Sequence, residues 1–295
     1  MLAVYKKELK SYFTSVIGWV FIAFFLILVG LYFMVYNLMN GYTDFSPVFS
    51  GVELFFILLL VPVLTMRIIA EENRQKTDQL LYTSPVSITK IILGKYLALI
   101  TLFGIAMLVC LYPLILSGLV KQVATGTEAV DFAIAYGSIL GFFLLGAAYI
   151  AIGMFISSLT ESQVIAAVAS GVIMIFTYLM TSLAGLLPSG HTFVFWFLAV
   201  LILVLSVGLY YWIHNGWLAG IIGVLAEAAL VILFLLKTES FDGLIGNVLS
   251  QISITDRYQN FTYGIFDVSA LVYYISVAFL FVFITIQRIK KKRFN

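Results

Sequence analysis

The residues best suited to chemistry lie together, in the stretch AEENRQKTDQLLYTSPVSITKIILGK from Ala70 to Lys95. Glu71, Glu72, Arg74, Lys76 and Asp78 mix both signs of charge over eight residues. Glu72 with Lys76, and Arg74 with Asp78, have the i,i+4 spacing whose ion pairs support a short helix. Pro85 disfavours helix at Ser84, so the helix is expected to stop there. Leu80, Leu81 and Tyr82 give it an apolar end. The chemistry of such an element is recognition, because a short charged helix with an apolar end can dock in the groove of a partner. A solvated loop accounts for the same residue types equally well.

Bond-making chemistry finds little support elsewhere. Gly94-Lys95 is followed by Tyr96 and lacks the upstream glycine, so it is not a phosphate-binding loop, and the chain alone is not expected to hydrolyse ATP. His191 and His214 fall at opposite membrane faces in the topology below and cannot share a metal. The single cysteine, Cys110, can form neither an intrachain disulfide nor a cysteine metal site, and a small buried hydrophobe is the better reading. Glu227 is the anomaly. It falls near the middle of an apolar segment, where a carboxylate must be protonated, partnered or facing water. It is a candidate contact for a substrate or a proton, and an interhelical hydrogen bond is the plainer alternative. Glu53 reads as an interfacial carboxylate.

The elements that position these groups are membrane helices. The chain is 63% hydrophobic and 10% charged, with a mean hydropathy of +1.11. Backbone groups in lipid must bond within their own segment, so long apolar runs imply helices. Eight apolar segments stand out, at about 16–38, 52–69, 91–118, 133–158, 163–187, 193–213, 217–237 and 268–287. Of the 16 lysines and arginines, 13 fall on one side when the N-terminus is placed in the cytoplasm. That excess predicts that both termini are cytoplasmic. The charge distribution calls for a lipid bilayer and for no nucleic acid.

Two further segments are amphipathic. Over residues 1–15, Leu2, Tyr5, Leu9, Tyr12, Phe13 and Val16 share a face while Lys6, Lys7, Lys10 and Glu8 lie off it, the pattern of a helix in the inner membrane interface. Over the external segment 238–267, Phe241, Leu244, Ile245, Val248, Leu249 and Ile252 form a second stripe. Neither segment is large enough to fold alone, so residues 1–295 are expected to form a single transmembrane domain. Gly137 with Gly141, and Gly216 with Gly220, have the GxxxG spacing that lets helices approach closely, within one chain or between two.

The run R-x-x-A-E-E-x-x-x-x-T-x-x-x-L-x-x-x-P-V-S, from Arg67 to Ser87, followed by Leu93-Gly94-Lys95, resembles the permease subunits of ABC-2 type transporters. FISSLTESQVIAA, Phe155–Ala167, is similar to that family's inner turn between helices four and five. SITDRYQNFTYGIFDVSALVYY, Ser253–Tyr274, is similar to the gliding-motility-associated members. The resemblance implies an all-helical core of six spans, to which this chain adds two, and a cytoplasmic coupling region over residues 70–90. Glu71, Glu72, Arg74, Thr77 and Leu80, with Asp78 and Leu81 behind them, would engage a separate cytoplasmic ABC ATPase that binds the ATP. The chain itself would then need no cofactor. It also implies a second permease copy or homologue, an extracytoplasmic accessory protein, a prokaryotic plasma-membrane location, and export of a hydrophobic or amphipathic substrate by alternating access. An ion-coupled transporter or channel using Glu227 is the alternative.

Overall fold

The computed structural model describes residues 1–77, 86–109, 131–213 and 216–294. Among them all regular structure is helical, and seven helices are long and apolar enough to cross a membrane. In chain order the elements are α1 (Leu2–Thr14), α2 (Val16–Phe33), α3 (Ser46–Phe55), α4 (Val61–Thr65), α5 (Ala70–Gln75), α6 (Ile88–Val109) and α7 (Phe132–Leu159). There follow α8 (Gln163–Leu186), α9 (His191–Ile213), α10 (Gly216–Leu236), α11 (Leu244–Ile252), α12 (Tyr258–Thr262) and α13 (Val268–Phe294). Helix α10 supplies the eighth apolar segment, with 21 residues.

The second span runs further than its hydropathy shows. It begins at Ser46 with Pro47 in the first turn and continues through a π-helical turn, Phe56–Leu60, into α4 and on to Gln75. Pro62 has no N–H for the carbonyl four residues back, and a π turn takes up that mismatch. Helix α5 therefore continues the span past its end, after a turn at Met66–Ile69, and is not an independent loop helix.

The chain divides into two units, Met1–Tyr178 with Arg257–Asn295, and Leu179–Asp256. In the first, the buried rings of Phe25, Phe56, Phe103 and Phe142 bring α2, the π turn after α3, α6 and α7 together, with centroids 4.9–6.2 Å apart. That spacing suits edge and offset ring contacts. Helix α7 is the spine of this unit and packs against α3, α4, α6, α12 and α13. The Gly137/Gly141 pair is used inside the chain: a Cβ at Gly141 would lie 2.6 Å from the Phe261 side chain, and one at Gly137 would lie 2.9 Å from the Phe261 carbonyl.

The second unit is the α9–α10 hairpin with α11. Val194, Ala199 and Leu230 of the hairpin bury Phe241 and Ile245, with Leu244 and Leu249 packed alongside. Val248 and Ile252 from the same expected stripe stay exposed. Asp242 accepts from the backbone N–H of His191 at 2.8 Å and so caps α9. His214, like Cys110, lies outside the described residues.

Candidate functional site

The Ala70–Gln75 segment is built into the end of the first unit by a buried ion cluster. Lys95, about two turns into α6 and 1% exposed at its side chain, is the hub. Its ammonium donates to Glu72 Oε1 at 2.7 Å, to Glu8 Oε1 at 3.1 Å and to the Ile68 carbonyl at 3.0 Å. Three bonds satisfy all the protons of a lysine, which is what a buried ammonium requires. One side chain of α6 thus holds α1, the end of the second span and α5 at a single point.

Gly94 makes that point reachable. A Cβ there would lie 3.1 Å from the Met1 carbonyl and 3.3 Å from the Tyr5 N–H, so a side chain at this position would require α1 to shift by a few tenths of an ångström. The face of α1 turned inward is Val4, Glu8 and Tyr12, all buried. This corrects the sequence expectation in one respect. Glu8, expected off the packed face, is on it. Leu2 and Val16 of the expected apolar stripe are exposed, and Tyr5, Leu9 and Phe13 are half-buried.

A second layer surrounds the hub. Arg67 pairs with Glu71 at 3.1 Å, reaches Ser11 Oγ at 3.3 Å and lies over the Tyr12 ring at 5.4 Å. The Tyr12 hydroxyl donates to the Leu64 carbonyl at 3.0 Å, and burial pushes its pKa well up, so it stays a donor. Lys7 stands 3.6 Å from Glu8 and 3.8 Å from Glu72 on the solvent side. Lys7, Ser11, Arg67, Glu71, Gln75 and Thr77 line a polar cleft of about 310 Å³ between α1 and α5.

The first turn of α5 is capped by a residue 87 positions away in sequence. Ser157 Oγ on α7 accepts from the N–H groups of Ala70 at 3.1 Å and Ile69 at 3.3 Å, and donates to the Met66 carbonyl at 3.0 Å. Asn73 makes the last junction. It donates to the Thr160 carbonyl in the α7–α8 turn at 3.4 Å and accepts from Lys292 near the end of α13 at 3.1 Å.

Among the residues expected to couple, Glu71 and Glu72 face the protein and their carboxylates are engaged there. Arg74 and Thr77 face solvent. Asp78, Leu80 and Leu81 lie outside the described residues. The expected Glu72–Lys76 pair is not made: α5 ends at Gln75, Lys76 leaves it in the left-handed conformation at φ 56°, and Glu72 turns to Lys95. Glu8, Lys95, Asn73 and Ser157 were not selected from the sequence. The signal available for Lys95 was a charge seven residues inside an apolar helix.

Glu227 lies in the second unit on α10, partly buried, with its Oε1 buried and without a hydrogen-bond partner. Glu53, read from the sequence as an interfacial carboxylate, is 5% exposed in α3 and acts electrostatically on the buried Tyr258 hydroxyl. Among the described residues no group of three or more His, Cys, Asp or Glu could hold a metal.

Residues 2–288 match a family model described as ABC-2 family transporter protein. A comparison with curated proteins found no match.

Proposed function

The chain belongs to the ABC-2 family of transporter proteins, a multi-pass membrane permease of an ABC transporter, and on that premise we propose that it exports a hydrophobic or amphipathic substrate by alternating access. The family implies an ABC ATPase subunit as partner. In this proposal the ATPase lies in the cytoplasm, binds and hydrolyses the ATP, and grips the segment 70–90 through Arg74, Thr77, Asp78, Leu80 and Leu81. Glu71 and Glu72 act from behind and hold the segment to the bundle. Two permease copies, or one with a homologue, form the pathway, and an extracytoplasmic accessory protein completes the assembly. Both termini face the cytoplasm of a prokaryotic cell. The Ser253–Tyr274 segment supports a place among the gliding-motility-associated members.

One observation carries this proposal, the junction at Lys95. A push on α5 is transmitted by Glu72 to α6, by Ser157 to α7 and by Asn73 to α13. Packed interiors shift as units and do not absorb such displacements locally. ATPase closure would therefore tilt several spans together.

Labelling tests the geometry. In a Cys110→Ser background, Thr77→Cys is expected to resist a membrane-impermeant thiol reagent in intact cells and to react in inverted vesicles. In proteoliposomes with the ATPase present, ATP is expected to drive movement of an amphipathic dye. Labelling of Thr77→Cys from outside intact cells sinks the proposal.

A further inference from the structure

We infer that the end of the bundle carrying α5 is a basic docking face whose partner presents an acidic groove. The inference rests on the ATPase-partner proposal above and adds the chemistry of the contact. Composition does not reveal it, because the segment from Arg67 to Lys76 carries Glu71 and Glu72 beside Arg67, Arg74 and Lys76. The fold sorts those signs. Glu72 is turned inward onto Lys95 and Glu71 onto Arg67. Arg74 and Lys76 remain exposed.

A distant segment adds to the same face. Lys292 donates to Asn73, the residue before Arg74, so the end of α13 lies against α5. Arg288, Lys291 and Lys292 are exposed and share one side of α13 by their i,i+3 and i,i+4 spacing. The exposed carboxylate at this end, among the described residues, is Glu161 in the α7–α8 turn. Among the described residues, four exposed cations besides the Asn73-bound Lys292 (Arg74, Lys76, Arg288 and Lys291) against one exposed carboxylate make a surface that attracts acidic side chains and repels basic ones.

The occupant is a protein and not a lipid surface. A helix that lies on a membrane pairs its cations with an exposed apolar stripe. Helix α1 does so, with Leu2 exposed beside Lys6 and Lys10, and Val16 exposed where α2 begins. From Arg67 to Thr77 no apolar side chain is exposed, and none is from Gln287 to Lys292. Among the described residues the α5–α13 face carries charge and no exposed apolar side chain, and the exposed Leu159, Val164 and Ile165 flank it on the α7–α8 side.

The test uses the full chain in nanodiscs of zwitterionic lipid, titrated with its purified ABC ATPase at about 0.15 M and about 0.5 M salt, across which exposed charges become screened. The variants are Arg74→Glu/Arg288→Glu/Lys291→Glu and the charge-keeping Arg74→Lys/Arg288→Lys/Lys291→Arg. The reversal is expected to weaken binding by at least about tenfold, since like charges across an interface cost several kcal/mol. The charge-keeping variant is expected to bind nearly as wild type, and wild-type binding to weaken at high salt. Equal binding by wild type and the reversal variant overturns the basic face and leaves the ATPase proposal standing. A loss that occurs only in nanodiscs containing anionic lipid also overturns it and assigns the face to the membrane. No ATPase binding by wild type at either salt overturns both.

Discussion

Replacing Lys95 by methionine tests the junction most directly. Methionine keeps the length and the apolar stem and removes the ammonium. Three hydrogen bonds are lost, at 2.7, 3.0 and 3.1 Å. The carboxylates of Glu8 and Glu72, with side chains only 10% and 17% exposed, are left facing one another. Lys7 remains near both, but its side chain is 64% exposed and 3.6–3.8 Å away. Breaking a buried ion pair by removing one partner costs about 3–5 kcal/mol, and two orphaned carboxylates place this case toward the upper end. At roughly 2–4 °C per kcal/mol, the midpoint of thermal unfolding of the full chain in nanodiscs is expected to fall by about 10 °C. The triple variant Lys95→Met/Glu8→Gln/Glu72→Gln removes the stranded charges with their counter-ion. It is expected to recover most of the loss, because contacting groups are not additive. A Lys95→Met midpoint within about 1 °C of wild type, or a triple variant that melts lower still, refutes the reasoning.

Ser157→Ala strips the cap from α5 and leaves two backbone donors buried. It is expected to cost about 1–2 kcal/mol and to speed hydrogen exchange at Ile69 and Ala70 while α7 exchanges as before; unchanged exchange there counts against the anchoring. Glu227→Met removes a buried oxygen that has no hydrogen-bond partner and is expected to raise the unfolding midpoint by the equivalent of about 1–3 kcal/mol. A lowered midpoint would mean that the carboxyl makes a bond the hairpin needs. At the start of α13, Asp267 accepts from Asn260 Nδ2 at 2.7 Å and from the N–H groups of Ser269 and Ala270, and the Asn260 bond above all holds its pKa below the usual carboxylate value. A depressed folded-state pKa contributes stability that is full above the unfolded value near 3.9 and is lost as pH falls through the folded value. Unfolding of wild type is therefore expected to acquire extra pH dependence below about pH 4 that Asp267→Asn lacks; identical acid profiles would remove Asp267 from this role.

Hydropathy alone determined the class of this protein, because a backbone in hydrocarbon must bond internally and long apolar runs leave only helices. The eight apolar segments, the two amphipathic stretches and the charged patch after the second span are all written in residue order and period. Partner choice inside the patch is not. Glu72 has Lys76 one turn away and bonds instead to Lys95, 23 residues on, because α5 stops at Gln75 and α6 brings an ammonium that burial forces to find carboxylates. Gly94 reads in sequence as half of a failed phosphate loop, and in three dimensions it is the gap through which α1 reaches that ammonium. Ser157 and Lys292 are unremarkable letters until α7 and α13 carry them to α5, where Lys292 meets Asn73. Local spacing decides which helices form, since its energies act within a turn or two. The sign of the charge left on the outside depends on which buried groups meet, and chain segments tens to hundreds of residues apart settle that only when they pack.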